Sequence, residues 1–201
     1  MTTISKSRGA GKALIGPATL CYVHVLVKYI PEGETDGKYQ ITVLIDKKDE
    51  TSIALLKEAI NDAIANGIAK KWGGKQPAKL DLPIRDGDEK EDGDELFKGK
   101  FYLKAKSTRK PKVVDRHLAE ILDADEIYSG MIGVVDIAAF PYAASGNKGI
   151  GFALNTIMKT GNGVRISGGE SVETVFGGVD LSALPPEEKP AQTAANPFFD
   201  I

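Results

Sequence analysis

The chain has 201 residues, 26 Lys and Arg against 28 Asp and Glu, one Cys and 42% hydrophobic residues. That size suits one domain with an appendage, and the balance excludes wholesale disorder, a collagen-like repeat and a disulfide scaffold. The formal net charge of −2, taken as a single total, gives no sign of a polyanionic partner.

Residues 1–16 are rich in Gly, Ser and Lys without periodicity and read as a flexible N-terminal arm. They contain no uninterrupted apolar h-region, and no later stretch approaches the roughly 20 apolar residues that span a bilayer, so a cytosolic protein without a membrane partner is expected. From Thr19 to Ile30 the sequence alternates, with Cys21, Val23, Val25, Val27 and Tyr29 on one face and Leu20, Tyr22, His24, Leu26 and Lys28 on the other. Such alternation predicts a strand. Turn residues in PEGETDG lead to a second strand, Lys38 to Asp46, and the two predict an antiparallel hairpin with a long loop.

Asp49 or Thr51 caps a helix whose apolar stripe is Ile53, Leu56, Ile60 and Ile64, and Asn66-Gly67 is expected to stop it. KKWGGK and an acidic loop, PIRDGDEKEDGDE, separate this helix from Gly99 to Ser107. There Phe101, Leu103 and Ala105 share one face while Tyr102, Lys104 and Lys106 share the other. Met131 to Ala143 and Gly149 to Thr160 flank SGNKG as a second hairpin. About five strands and one helix suit a small β-barrel or a twisted α+β sheet.

Residues 180–201 hold four of the ten prolines, are net acidic and lack periodicity until Phe198, Phe199, Asp200 and Ile201. A segment of this composition buries too little apolar surface to order itself, so an acidic disordered tail is expected. Its two terminal aromatics either tuck into the domain's own surface or anchor in a partner's pocket.

Most catalytic chemistry lacks its residues. With only His24 and His117 present, histidine-rich metal sites and His-based catalysis are disfavoured. Cys21, the lone cysteine, fits a reducing compartment and reads as a buried structural thiol. A calcium loop started at Asp88 would place Lys90 at the third position and Gly99 at the twelfth, where a carboxylate is needed. GIGFAL has Leu154 in place of the third glycine of a dinucleotide fingerprint, and the S-x-x-K match from Ser145 to Lys148 is a four-residue coincidence in a hairpin loop. No enzyme, metal or cofactor is predicted.

Segmenting the charge changes the picture. Lys98, Lys100, Lys104, Lys106, Arg109, Lys110, Lys112 and Arg116 fall between 98 and 116 with Asp115 as the only acid, while 81–97 and the tail are net acidic. Basic residues interleave with aromatics on β-structure: Tyr102, Lys104 and Lys106 on a strand, Lys70, Lys71, Trp72 and Lys75 after the helix, and Arg109, Lys110, Lys112 and Arg116 in the next loop. Single-stranded nucleic acid requires this pairing, since cations track phosphates while unstacked bases lie on flat rings. The helix lacks a basic exposed face, with Lys57 opposed by Glu58 and Asp62, so duplex reading is not expected. Trp72, beside two glycines, suits either the core or a base.

KWGGK (Lys71 to Lys75), LPIRDGD (Leu82 to Asp88), FKGKFYLKAKS (Phe97 to Ser107), KPKVVD (Lys110 to Asp115), EIYSGMIG (Glu126 to Gly133) and GNKGIGFALN (Gly146 to Asn155) together resemble a known group. They are similar, in order and over most of residues 14–178, to phage-encoded single-stranded DNA-binding proteins with a single oligonucleotide/oligosaccharide-binding (OB) barrel, akin to replication proteins of short-tailed coliphages. The tip FFDI resembles the aromatic end of acidic tails common in such proteins, although it closes on Ile201.

The resemblance implies a mainly β fold, a five-stranded Greek-key OB barrel over residues 17–179 with one main helix, between the arm (1–16) and the tail (180–201). It implies a non-enzymatic protein that coats single-stranded DNA during phage replication or recombination in the cytoplasm of the infected bacterial host. The tail would recruit phage or host replication proteins through Phe198, Phe199, Asp200 and Ile201, or regulate binding. The competing expectation is a virion or scaffold protein that uses FFDI to hold another protein.

Overall fold

Alternating runs build long strands, and the computed structural model, which describes residues 4–90, 94–144 and 146–166, closes them into a barrel. In chain order the elements are β1 (Lys6–Ser7), β2 (Lys12–Tyr29), β3 (Lys38–Asp46), α1 (Glu50–Lys70), β4 (Ile84–Asp86), β5 (Lys100–Ser107), β6 (Lys112–Val114), a 3-10 turn (Ala124–Glu126), β7 (Ile132–Ala144) and β8 (Asn147–Gly161). The barrel runs β5-β3-β2-β7-β8 through antiparallel neighbours. It closes where β8 meets β5 in parallel, Ala105 opposite Phe152 and Lys106 opposite Ala153. Around it, β1 pairs with β2, β4 with β5, and β6 runs parallel to β8. The fold is the mainly β five-stranded barrel with one main helix that the family resemblance implies, and its sheet is mixed.

Inward positions of every barrel strand fill the interior: Ile15, Leu20 and Val25 from β2, Ile41 and Val43 from β3, Leu103 and Ala105 from β5, Ile137 from β7 and Ile157 from β8. A smaller cluster of Cys21, Leu44 and Phe97 lies apart from that core. Burial there pushes the Cys21 thiol up to about 12, with Asp94 adding to the shift, so the cysteine is an unreactive packing residue. The predicted alternation in β2 breaks between Cys21 and His24, where the register shifts and Tyr22 adopts φ 48°. Leu20 and Cys21 are consequently both buried.

α1 packs chiefly on β7 and β2. The Asp49 side chain caps it by accepting a hydrogen bond from the Ser52 amide at 3.0 Å, and Leu56, Ala59, Ile60 and Ala63 form its buried stripe. No helix among the described residues is long and apolar enough to cross a membrane.

Three expectations need correction. Residues 6–16 are not a loose arm: a Gly9-Ala10-Gly11 turn folds β1 back on β2, and Ser5 and Arg8 bond to Gly16 and Asp136. The first four residues of β2, Lys12 to Ile15, pair with β7, so this stretch belongs to the barrel. Second, α1 runs past Asn66-Gly67 to Lys70. Third, Trp72 is not available to a base, because it is 5% exposed in the core, its ring against Gly67 and its Nε1 donating to the Tyr142 carbonyl at 3.1 Å. The helix tolerates glycine at 67 because the indole occupies the space of a side chain. The tail residues Phe198, Phe199, Asp200 and Ile201 lie outside the described residues.

A methyl group at position 67 would come within 2.7 Å of the indole. Alanine normally stabilises a helix interior relative to glycine by about 1 kcal/mol. Gly67→Ala should instead destabilise the protein, by roughly 1–3 kcal/mol of overpacking, read as a lower urea midpoint; a raised midpoint would show that the indole does not fill that space.

Candidate nucleic-acid interface

The outward face of β5 carries Tyr102, Lys104 and Lys106, as its alternation requires, with Leu103 and Ala105 buried behind them. Cross-strand pairing places Arg85 of β4 opposite Tyr102, and Gln40 of β3 opposite Lys106. Lys38 opens β3 just beyond. On the far side of the closure stand Phe140 and Tyr142 of β7. Tyr102, Lys104, Lys106, Arg85, Lys38, Phe140 and Tyr142 line one groove of about 820 Å³, with Ser107 and Thr108 among its further lining residues.

The lysines are crowded. Among the described residues, Lys38, Lys104 and Lys106 make no ion pair. Partial burial lowers the Lys106 pKa, and the nearby charges of Lys104 and Lys38 lower it further, with Glu34 only partly opposing. Cations so placed are suited to a phosphate chain, which supplies the missing charge.

The aromatic wall is built differently. Phe140 pairs across the hairpin with Gly151, and Tyr142 with Gly149. A side chain at Gly151 would meet the Phe140 ring at 2.8 Å, and one at Gly149 the Tyr142 ring at 2.7 Å, so each ring lies over a glycine. The glycines of GIGFAL therefore make room for rings. Phe140 is 43% exposed despite its size. The Tyr142 hydroxyl donates to Asp81 at 2.6 Å, and the Arg85 guanidinium donates to the other carboxylate oxygen at 2.6 Å. These two bonds, the tyrosine's first, hold the Asp81 carboxyl below its ordinary range, and Asp81 in turn raises the pKa of Tyr142 and Arg85. Tyr102 is braced edge-on by Phe97 at 5.1 Å between ring centroids.

The other predicted residues divide. Arg109 and Lys110 are exposed in the loop beyond Thr108, and Lys112 is exposed on β6, so they extend the basic track past the groove along β8. Arg116 donates from Nε to the Thr160 carbonyl at 2.6 Å and pins its turn to the end of β8. Lys70, Lys71 and Lys75 are exposed around buried Trp72 and do not line the groove. Part of the acidic run is engaged locally: Asp86 and Asp88 bind Lys47 at 2.5 and 2.6 Å, which holds both carboxyls below their ordinary range.

Lys38, Arg85, Phe140 and Tyr142 are groove residues that the sequence reading does not select. The signal for the aromatics was present, since Phe140 and Tyr142 lie two apart and opposite Gly151 and Gly149, a ring-over-glycine pattern.

The chain is similar to known proteins over most of its length. The family described as Enterobacter phage Enc34, ssDNA-binding protein, matches residues 11–184. The structure of the single-stranded DNA-binding protein from bacteriophage Enc34 in complex with ssDNA is similar at a TM-score of 0.68 and 23% identity, over 78% of this chain and 90% of that one. A C-terminal truncation of that phage protein gives 0.66 and 22%, over 78% and 88%. The crystal structure of gp2.5, a single-stranded DNA-binding protein encoded by bacteriophage T7, gives 0.51 and 18%, over 79% and 95%. No curated protein sequence matches the chain. With the match spanning most of its length, this chain belongs to the Enc34 family of phage ssDNA-binding proteins, a family of binding proteins rather than enzymes.

Proposed function

We propose that this protein coats single-stranded DNA exposed during phage replication or recombination, without reading its sequence, in the cytoplasm of the infected host. One observation carries this reading: three lysines without acidic partners border a wall of rings in a single groove. Lys38, Lys104 and Lys106 hold phosphates, while Tyr102, Phe140 and Tyr142 take bases. The Asp81 carboxylate among the rings repels phosphate, so the backbone follows the β3–β5 side and the bases turn toward β7. Arg109, Lys110 and Lys112 continue the phosphate track, and Lys70, Lys71, Lys75 and Arg116 contribute only through the long-range field. The acidic tail at 180–201 competes with DNA for the groove or recruits replication proteins through Phe198, Phe199, Asp200 and Ile201.

A salt titration with oligo-dT tests the groove. Removing both Lys104 and Lys106 as alanines should weaken binding and flatten the slope of log K against log salt by about 1.4, at roughly 0.7 per lost phosphate contact. Phe140→Ala should cost about 1–3 kcal/mol of binding as a lost stacking partner. Unchanged slope and affinity, or equal binding to duplex, would favour the scaffold alternative.

The pH dependence has a fixed sign. Lys106 binds phosphate only when charged, and its lowered pKa makes it lose its proton earlier than an ordinary lysine as pH rises. Affinity for oligo-dC should therefore begin to fall at a lower pH than in Lys106→Arg, whose guanidinium stays charged. Coincident pH profiles would remove Lys106 from the phosphate track.

Deleting residues 180–201 should tighten binding at low salt and have little effect at high salt, where the tail's charge is screened. Equal affinity with and without the tail at low salt would refute competition.

A further inference from the structure

In a regular strand, residues five apart point to opposite faces and stand about 16 Å from each other. His24 and Tyr29 are five apart in β2, yet their ring centroids are 5.0 Å apart with planes tilted by 45°. The register explains it: His24 pairs with Gln40 and Tyr29 with Lys38, so β2 advances five residues while β3 advances two. The surplus is accommodated as a distortion that leaves Val27 75% exposed. Distortions of this kind recur where a strand re-aims side chains beside a site.

Directly paired residues in an antiparallel ladder share a face. Gln40 pairs with His24 on one side and with Lys106 on the other, so the histidine is on the groove's face of the sheet. Lys38 pairs with Tyr29 and also lines the groove. Tyr29 is 42% exposed. The lysines are thus flanked by rings on both sides, Phe140 and Tyr142 on β7 and the His24–Tyr29 pair on β2, two strand spacings or about 10 Å from β5.

We infer that His24 and Tyr29 form a second nucleobase subsite, which receives an unpaired base of the same strand after its backbone has crossed Lys106 and Lys38. This rests on the single-stranded DNA reading above. The ligand is a base on an extended strand, so the subsite is engaged only when the oligonucleotide is long enough to leave the groove.

Fluorescence anisotropy on the full chain tests it with labelled oligo-dT of about 4 and about 16 nucleotides, the range occupied by one OB barrel. Tyr29→Ala should bind the longer strand about tenfold more weakly and the shorter one as the parent does, the size of one lost stacking contact. Tyr29→Leu, which keeps an apolar side chain without the flat ring, should repeat the loss, and Tyr29→Phe should restore binding. Undiminished binding of the longer strand by the leucine variant, or equal loss at both lengths, overturns the subsite; the first result would leave the exposed hairpin as a protein-docking element. If the parent chain binds neither oligonucleotide, the DNA reading itself has failed, and the subsite with it.

Discussion

Two residue pairs, Ala105 with Phe152 and Lys106 with Ala153, turn the sheet into a barrel. In an open sheet, β5 and β7 would stand three strands apart with β3 and β2 between them. The parallel closure inserts β8 between them by the other route, so the β5 lysines and the β7 rings become opposite walls of one groove. The proposed phosphate and base recognition requires that proximity, because a nucleotide joins the two groups within a few bonds. The site is therefore a property of the closure, and neither strand contains it alone.

The β7 wall is fixed from several directions. Gly149 and Gly151 leave space for the rings, Asp81 holds the Tyr142 hydroxyl, and Trp72 holds the Tyr142 carbonyl from the core side. Through Trp72 the end of α1 is tied to the same strand, which explains why the helix continues through Gly67. A flat ring that is held before a base arrives loses less freedom on binding, and such preorganisation favours affinity without added contact area.

The five barrel strands were readable in the sequence, β2 and β5 from alternation and the others from apolar runs bounded by turn residues, and Lys104 and Lys106 followed from the alternation of β5. Lys38, Arg85, Phe140 and Tyr142 did not follow, because their relation to β5 comes from pairings across the barrel. Alternation assigns a side chain to a face but does not name the strand beside it. Trp72 was undecidable for a related reason: its partners, Gly67 and Tyr142, are respectively five residues before it and seventy after it. The early part of β2 was obscured by Gly16-Pro17, which reads as a break yet lies at a register shift within a continuous strand.

The crowding of Lys38, Lys104 and Lys106 has a thermodynamic consequence for the free protein. Two like charges beside the partly buried Lys106 amine oppose the compact state, and a phosphate chain bound there would relieve that opposition. If DNA binds as proposed, it and the folded barrel stabilise each other by linkage. Without a bound strand, the crowded lysines are kept at some expense to stability, a compromise often found where function needs uncompensated charge.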